Sequence, residues 1–173
     1  MLVPQEGFLF DGTLADNVAY GLRGDPGAPA AGTPEREQIE SAVDRLGLTD
    51  WVADLPDGLD TEVGQRGESL SAGERQLVAL LRAYLAEADL LVLDEATSAV
   101  DPATEVRIAR ALASLTAGRS TLTIAHRLST AEAADLVVVV DAGHVVELGH
   151  HDELVRAGGV YAHMHDAWVS QTR

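Results

Sequence analysis

From Leu90 onward the chain alternates short, continuous apolar runs with helical patterning. The order is Leu90 to Leu93, a helical stretch Pro102 to Leu115, Ser120 to Ile124, a short helix Ser129 to Ala134, then Leu136 to Val140 and Val145 to Leu148, followed by a helix. A strand that is apolar at every position needs cover on both faces, and intervening helices provide it, so this order predicts an α/β arrangement with a mostly parallel sheet. Open sheets of this kind bind ligands beyond the carboxyl ends of their strands. None of the runs approaches the roughly 20 apolar residues that a membrane-spanning helix requires.

The first half has a different character. A short helix is expected over Thr13 to Leu22, and the Gly- and Pro-rich stretch Gly24 to Pro34 breaks it. Pro34 suits the first position of the next helix, in which Ile39, Val43 and Leu46 return at helical spacing. Leu55 to Ser69, rich in Gly and Asp, reads as an irregular connection; Leu77, Leu80, Leu81, Tyr84 and Leu85 then form the apolar stripe of a longer helix. At the start, a short apolar run ending at Gln5 reads as the end of a buried strand, with no capping or turn signal ahead of it. Three segments are expected: residues 1–12 as the end of a core strand with its following loop, 13–86 as a helical subdomain, and 87–173 as an α/β core. There is no internal repeat.

Composition matters for the partners it excludes. With 28 acidic against 12 basic residues the net charge is -16, which repels a phosphate backbone and argues against nucleic acid as a partner. All the basic residues are arginine; the sequence contains no lysine. It contains no cysteine either, which removes disulfides and thiolate metal sites. No basic-then-apolar segment opens the chain, so no direct membrane insertion by this segment is expected.

Three places carry chemistry. Asp94 and Glu95 close an apolar strand, where the first acid can hold Mg²⁺ through water and the second can orient or deprotonate an attacking water. By itself such a pair reads equally as a strand end with two solvated acids. Ser71 and Glu74 have the S-x-x-E spacing of a capping box, a structural role. The same helix start, with Ser71, Ala72 and Gly73, also presents N–H groups and a positive dipole to an anion, and the two readings are compatible. Asp101 followed by Pro102 is a good N-cap and first helical residue.

Taken in order, the phrases resemble those of ATP-binding cassette (ABC) transporters. LSAGERQ (Leu70 to Gln76) resembles their signature motif, and LLVLDEATSAVD (Leu90 to Asp101) resembles the Walker B strand, catalytic glutamate and D-loop. Pro4 and Gln5 resemble the Q-loop, and TIAHRLST (Thr123 to Thr130), on the loop after an apolar strand, resembles the switch-histidine loop. LFDGTLADNVAYG, TEVGQRG and VVVVDAGHVVELGHHDELVRAGGVYAHM are similar to exporter-type cassettes in particular, the second matching a segment that faces the transmembrane coupling helices. The resemblance runs from the Q-loop to the C-terminus, leaving the family's N-terminal strands and Walker A motif outside this sequence.

What the resemblance implies is specific. The fold is a P-loop NTPase-like ABC ATPase core with a helical signature subdomain, and the cofactors are ATP and Mg²⁺. Glu95 acts on the attacking water, Asp94 and Gln5 on Mg²⁺, and His126 on the γ-phosphate and Glu95. Gln5 also relays movement to the transporter. Ser71, Gly73 and Glu74 face nucleotide held by the opposite subunit, and Ser98 and Asp101 make contacts across the dimer. The partners are a second nucleotide-binding domain, head to tail, and a transmembrane domain, which puts the chain at the cytoplasmic face of a membrane. The whole hydrolyses ATP to drive export.

Departures carry expectations of their own. The commonest signature has two glycines and a glutamine where this chain has Ala72, Gly73 and Glu74, so the Glu74 charge has to turn away from phosphate or be masked. Gln65 stands where exporters often carry Glu. A P-loop needs lysine. The segment GFLFDGT (Gly7 to Thr13) has the glycine spacing of one but no lysine, and Phe8 and Phe10 suit packing. The chain alone is therefore expected to be inactive. In the family the strand leading to the P-loop is expected beside Leu90 to Leu93, so its absence should leave that strand's ladder open and the chain poorly stable.

Two other readings stay open: a non-catalytic module whose signature helix completes a partner's site, and a soluble DNA-repair or translation cassette. The acidic balance, the exporter-like segments and the lack of a coiled-coil insertion argue against the latter. His144, His150, His151, His163 and His165 lack the carboxylate or thiolate spacing of a metal site and are expected in surface or packing roles.

Overall fold

Ser71 starts the helix around which the first part of the molecule packs. Its Oγ accepts the Glu74 N–H at 3.2 Å while Glu74 Oε2 accepts the Ser71 N–H at 2.8 Å, so α4 (Ala72–Leu85) begins with both reciprocal bonds of a capping box. Leu77, Val78, Leu80 and Leu81 are fully buried along it, each large side chain contributing about 1.5–3 kcal/mol by leaving water. The helix is buried nearly all round because four others surround it. The shared core takes Leu14 and Val18 of α1 (Leu14–Ala19), Ile39 and Val43 of α2 (Arg36–Arg45), Trp51 of α3 (Thr49–Asp54), and Ile108 and Leu115 of α5 (Pro102–Thr116). The expected helix at Thr13 is shorter than its apolar pattern: α1 gives way to a 3-10 turn, Tyr20–Arg23. This computed structural model describes residues 1–4, 7–23, 36–64, 67–94 and 100–171. The stretch expected as a loop at 24–34 lies outside them.

Three strands complete this unit, which spans Met1–Ile124. β1 (Leu2–Val3), β2 (Leu90–Asp94) and β3 (Ser120–Ile124) form a parallel sheet in the order β1-β2-β3, with Val3 opposite Leu93 and Asp94 opposite Ile124. The short run before Gln5 is thus a strand, and α5 is the crossover from β2 to β3. Two expectations need correction here. β2 does not have an open ladder, because β1 and β3 pair with it on either side; among the described residues the unpaired edges belong to β1 and β3. Nor do the described residues of this unit cover the sheet on both faces. Val3 and Leu91 join the core, whereas Leu2, Leu90, Leu122 and Ile124, which the register puts together on the opposite face, are half-exposed.

The second unit, Ala125–Arg173, is built on a hairpin. β4 (Val137–Asp141) and β5 (His144–Gly149) pair antiparallel, with a register shift at Val139/Val140. The two apolar runs therefore do not extend the parallel sheet. The four residues between Val140 and Val145 are too few for a parallel crossover, which takes about a dozen or more. The turn places Ala142 and Gly143 at φ 46 and 80, the doubly positive geometry that matches hairpin twist. Around it stand α6 (Leu128–Glu132), α7 (His151–Ala157) and α8 (Val160–Gln171), sharing a small core of Ala131, Val139, Leu154 and Tyr161. Glu147 of β5 accepts the N–H groups of Val160 and Tyr161 at 2.7 and 2.9 Å, so a carboxylate closes the positive end of α8. Among the described residues no helix is long and apolar enough to cross a membrane.

Candidate functional site

Gly73 is buried where α4 meets the start of α5. A Cβ at this position would come within 2.6 Å of Thr104 Cγ2 and 2.7 Å of Val100 Cγ1, so the approach is open only to glycine. The contact joins the Ser71–Gly73 turn to the segment 100–104. Asp101 caps α5 there, its Oδ1 accepting the Thr104 N–H at 3.0 Å. That bond leads the set holding the exposed Asp101 carboxyl below the usual carboxylate range. Ser71, Gly73, Glu74 and Asp101 are thus brought together within the first unit.

Glu74 is turned aside rather than pointed along its helix axis. Besides the Ser71 N–H on Oε2, the Trp51 indole N–H reaches Oε1 at 3.1 Å. Burial pushes the carboxyl upward, yet the bonds from the Ser71 backbone, the Trp51 indole and the Ser71 side chain outweigh it, and the group ends below its ordinary range against opposition from Asp101. Both Glu74 carboxylate oxygens are thus engaged by donors of the protein. By geometry the first turn of a helix has N–H groups without intrahelical acceptors, here those of Ala72 and Gly73. Arg75 Nη1 secures the preceding loop by donating to the Leu70 carbonyl at 2.6 Å.

Asp94 lies at the carboxyl end of β2, level with Ile124 of β3. The same edge carries the end of β1. Gln5 follows β1 by two residues, Glu95 follows Asp94 directly and His126 follows Ile124 by two. Gln5, Glu95 and Ser98 lie outside the described residues, as does Gln65. His126 is exposed and belongs to the second unit.

Three residues that local sequence does not advertise support this arrangement. Trp51 anchors Glu74 from 23 positions away. Arg82 donates to the Asn17 carbonyl, the Phe8 carbonyl and Asn17 Oδ1 at 2.7, 2.6 and 2.9 Å. Buried Asn17 in turn donates to the carbonyls of Phe10 and Thr13, both at 3.0 Å. Together they pin residues 8–10, just beyond Gln5, onto α4. Leu9 is buried in that stretch, while Phe10 stacks on Tyr20 at 4.3 Å and meets Phe8 edge-on at 5.1 Å, forming an exposed aromatic patch. No sequence pattern flags Trp51 or Arg82; Asn17, a polar residue on the apolar side of a short helix, was the one available sign.

The chain is similar to known proteins. The ABC transporter family model matches residues 1–98, more than half of the chain. An ATP-dependent lipid A-core flippase of Burkholderia orbicola (strain AU 1054) is 49% identical over 164 residues, covering 95% of this chain and 26% of the flippase. The ABC transporter ATP-binding protein YwjA of Bacillus subtilis (strain 168) is 44% identical over 170 residues, covering 98% of this chain and 28% of that protein. Among solved structures, a bacterial Atm1-family ABC exporter with ATP bound superposes with a TM-score of 0.78 at 40% identity, over 99% of this chain and 28% of that one. The chain spans about a quarter of the length of the curated relatives it matches. With the parallel sheet, the capped signature helix and these likenesses in agreement, the chain belongs to the ABC transporter family, with the sequence of an exporter-type nucleotide-binding domain.

Proposed function

We propose that the chain serves in an exporter cassette that binds ATP and Mg²⁺ between two head-to-tail nucleotide-binding domains and hydrolyses ATP to drive transport. It works at the cytoplasmic face of a membrane, coupled to a transmembrane domain. The observation that carries this reading is the seating of Gly73 on Val100 and Thr104, because it holds the signature turn and the end of the D-loop to one surface, available to one partner. The exposed Phe8, Phe10 and Tyr20 offer an apolar face to a coupling helix.

Bound ATP and Mg²⁺ supply the transferring phosphoryl group and the cation that neutralises its charge. The side chains fit that chemistry: a masked Glu74 beside a helix start, and a carboxylate at the end of a parallel strand. Ser71 and the N–H groups of Ala72 and Gly73 receive the partner's nucleotide, with Ser98 and Asp101 in contact across the dimer. Asp94 and Gln5 hold the cation in the chain's own site. Glu95 orients the attacking water and takes its proton, and His126 contacts the γ-phosphate and Glu95. In this scheme residues 1–12 and 87–173 form the α/β core and 13–86 the helical subdomain.

A second reading has one specific observation in its favour. These residues hold no lysine for a P-loop, and in this second reading the chain completes a partner's site without hydrolysing at its own. The first reading is tested at Glu95. In a cassette joining this chain to a P-loop-bearing segment, Glu95→Gln lowers steady-state turnover by about 10²–10⁴-fold; unchanged turnover removes Glu95 from the mechanism.

A further inference from the structure

Three side chains of the second unit converge although their sequence positions give no sign of it: Glu132 at the end of α6, His151 at the start of α7 and His165 in α8. One ligating atom from each lies within 4.8 Å of the other two. Glu132 Oε1 and His165 Nε2 are 3.9 Å apart, and the two imidazole rings face each other obliquely with centroids 5.4 Å apart. The Tyr161 hydroxyl pairs with His151 Nδ1 at 2.8 Å, which leaves Nε2 as that ring's other coordinating atom. His165 Nδ1 is buried without a hydrogen-bond partner, and Asp166 Oδ1 stands 3.6 Å from it.

An ion pair between His165 and Glu132 does not account for this group. At 3.9 Å the contact is too long for a hydrogen bond, and it leaves His151 unexplained. Protonating both rings sets two like charges side by side. A divalent metal satisfies all three groups at once, since neutral imidazoles and a carboxylate are the donor set of zinc sites with three protein ligands and a fourth position open to water. Zinc bonds of about 2.1 Å hold tetrahedral ligand atoms about 3.4 Å apart, so a spacing of up to 4.8 Å closes by at most about 1.4 Å. One outer partner is in place as well, Tyr161 for His151, and such groups fix ring orientation in metal sites.

We propose that Glu132, His151 and His165 form a zinc site that ties α6, α7 and α8 together. Nothing in it depends on the nucleotide reading. Bound metal cross-links residues far apart in sequence, and because it binds the folded form it stabilises the second unit by mass action.

The test uses the whole chain without an affinity tag. Zinc is titrated in competition with a chromophoric chelator at about pH 7.5, where imidazole is neutral, and Co²⁺ is followed by its visible absorption. The expected result is one equivalent of zinc and a tetrahedral Co²⁺ spectrum. Glu132→Gln, His151→Ala and His165→Ala each weaken zinc binding at least tenfold, and loss of the outer partner in Tyr161→Phe weakens it by about 10–100-fold. His144→Ala and His163→Ala, at exposed positions outside the group of three, leave it unchanged. Glu132 is exposed, so Glu132→Gln reports on the site even if a histidine variant misfolds. No stoichiometric uptake by the folded chain overturns the proposal, as does full affinity in Glu132→Gln or equal loss in His144→Ala.

Discussion

The Trp51 indole N–H donates to Glu74 Oε1 at 3.1 Å, fastening the first turn of the signature helix to a helix 23 residues earlier in the chain. The bond turns a negative charge aside at the place where the family reading brings phosphate. A hydrogen bond to a charged acceptor contributes about 1.5–3 kcal/mol. Trp51→Phe, which keeps an aromatic ring in a buried position and removes the donor, is expected to lower unfolding stability by about that amount. In a double-mutant cycle with Glu74→Gln, urea denaturation should show the two changes coupled; additive effects mean that the bond contributes nothing.

The same carboxylate predicts a pH dependence. The folded Glu74 pKa is held down by the Ser71 and Trp51 donors. Its ionisation therefore contributes stability that is fully present above the unfolded value of about 4.3 and is lost as pH falls through the lower folded value. The stability of the chain relative to Glu74→Gln should stay level from about pH 6 to 8 and decline below about pH 4. Chemical denaturation across this range measures the difference. A difference that does not change with pH contradicts the assigned bonds.

Gly73→Ala tests the contact between the signature turn and the D-loop end. The added methyl meets Thr104 and Val100 within 2.7 Å, and forced overpacking typically costs about 1–3 kcal/mol. Combining it with Val100→Ala and Thr104→Ser, which removes both obstructing methyl groups, should recover part of that loss. Failure of the rescue would place the glycine requirement elsewhere.

Core and surface should separate cleanly along the two central helices. Leu81 is fully buried in α4, so Leu81→Ala is expected to cost about 2–5 kcal/mol. Val106 is 58% exposed on α5, so Val106→Ala should stay within about 0.5 kcal/mol. Urea midpoints at constant slope decide it.

What could be read from the sequence was local. The capping box of Ser71 and Glu74 and the Asp101-Pro102 helix start each lie within four residues, so spacing alone exposes them. The runs at 90–93 and 120–124 read correctly as strands, but their apolar character did not report burial on both faces, since Leu90, Leu122 and Ile124 are half-exposed. Hydropathy says nothing of ladder order, however, and the pairing of β2 on both sides had to come from structure. The β4–β5 hairpin was missed because Ala142-Gly143 lacks the Asn-Gly or Asp-Gly signal usual for its turn. Trp51 with Glu74, Gly73 with Thr104, and Glu132 with His151 and His165 are tertiary meetings, to which no periodicity points.

The central claim is that the turn from Ser71 to Gly73 completes an ATP site on a second cassette. It is tested most directly by adding the purified chain to an exporter cassette that keeps its P-loop but carries a disabled signature motif, and measuring ATPase rate. The account predicts that the rate rises with added chain and saturates, and that Gly73→Asp, which sets a negative charge at the helix start, abolishes the rise. No ATP-dependent complex and no change in rate, with both proteins folded, would contradict it.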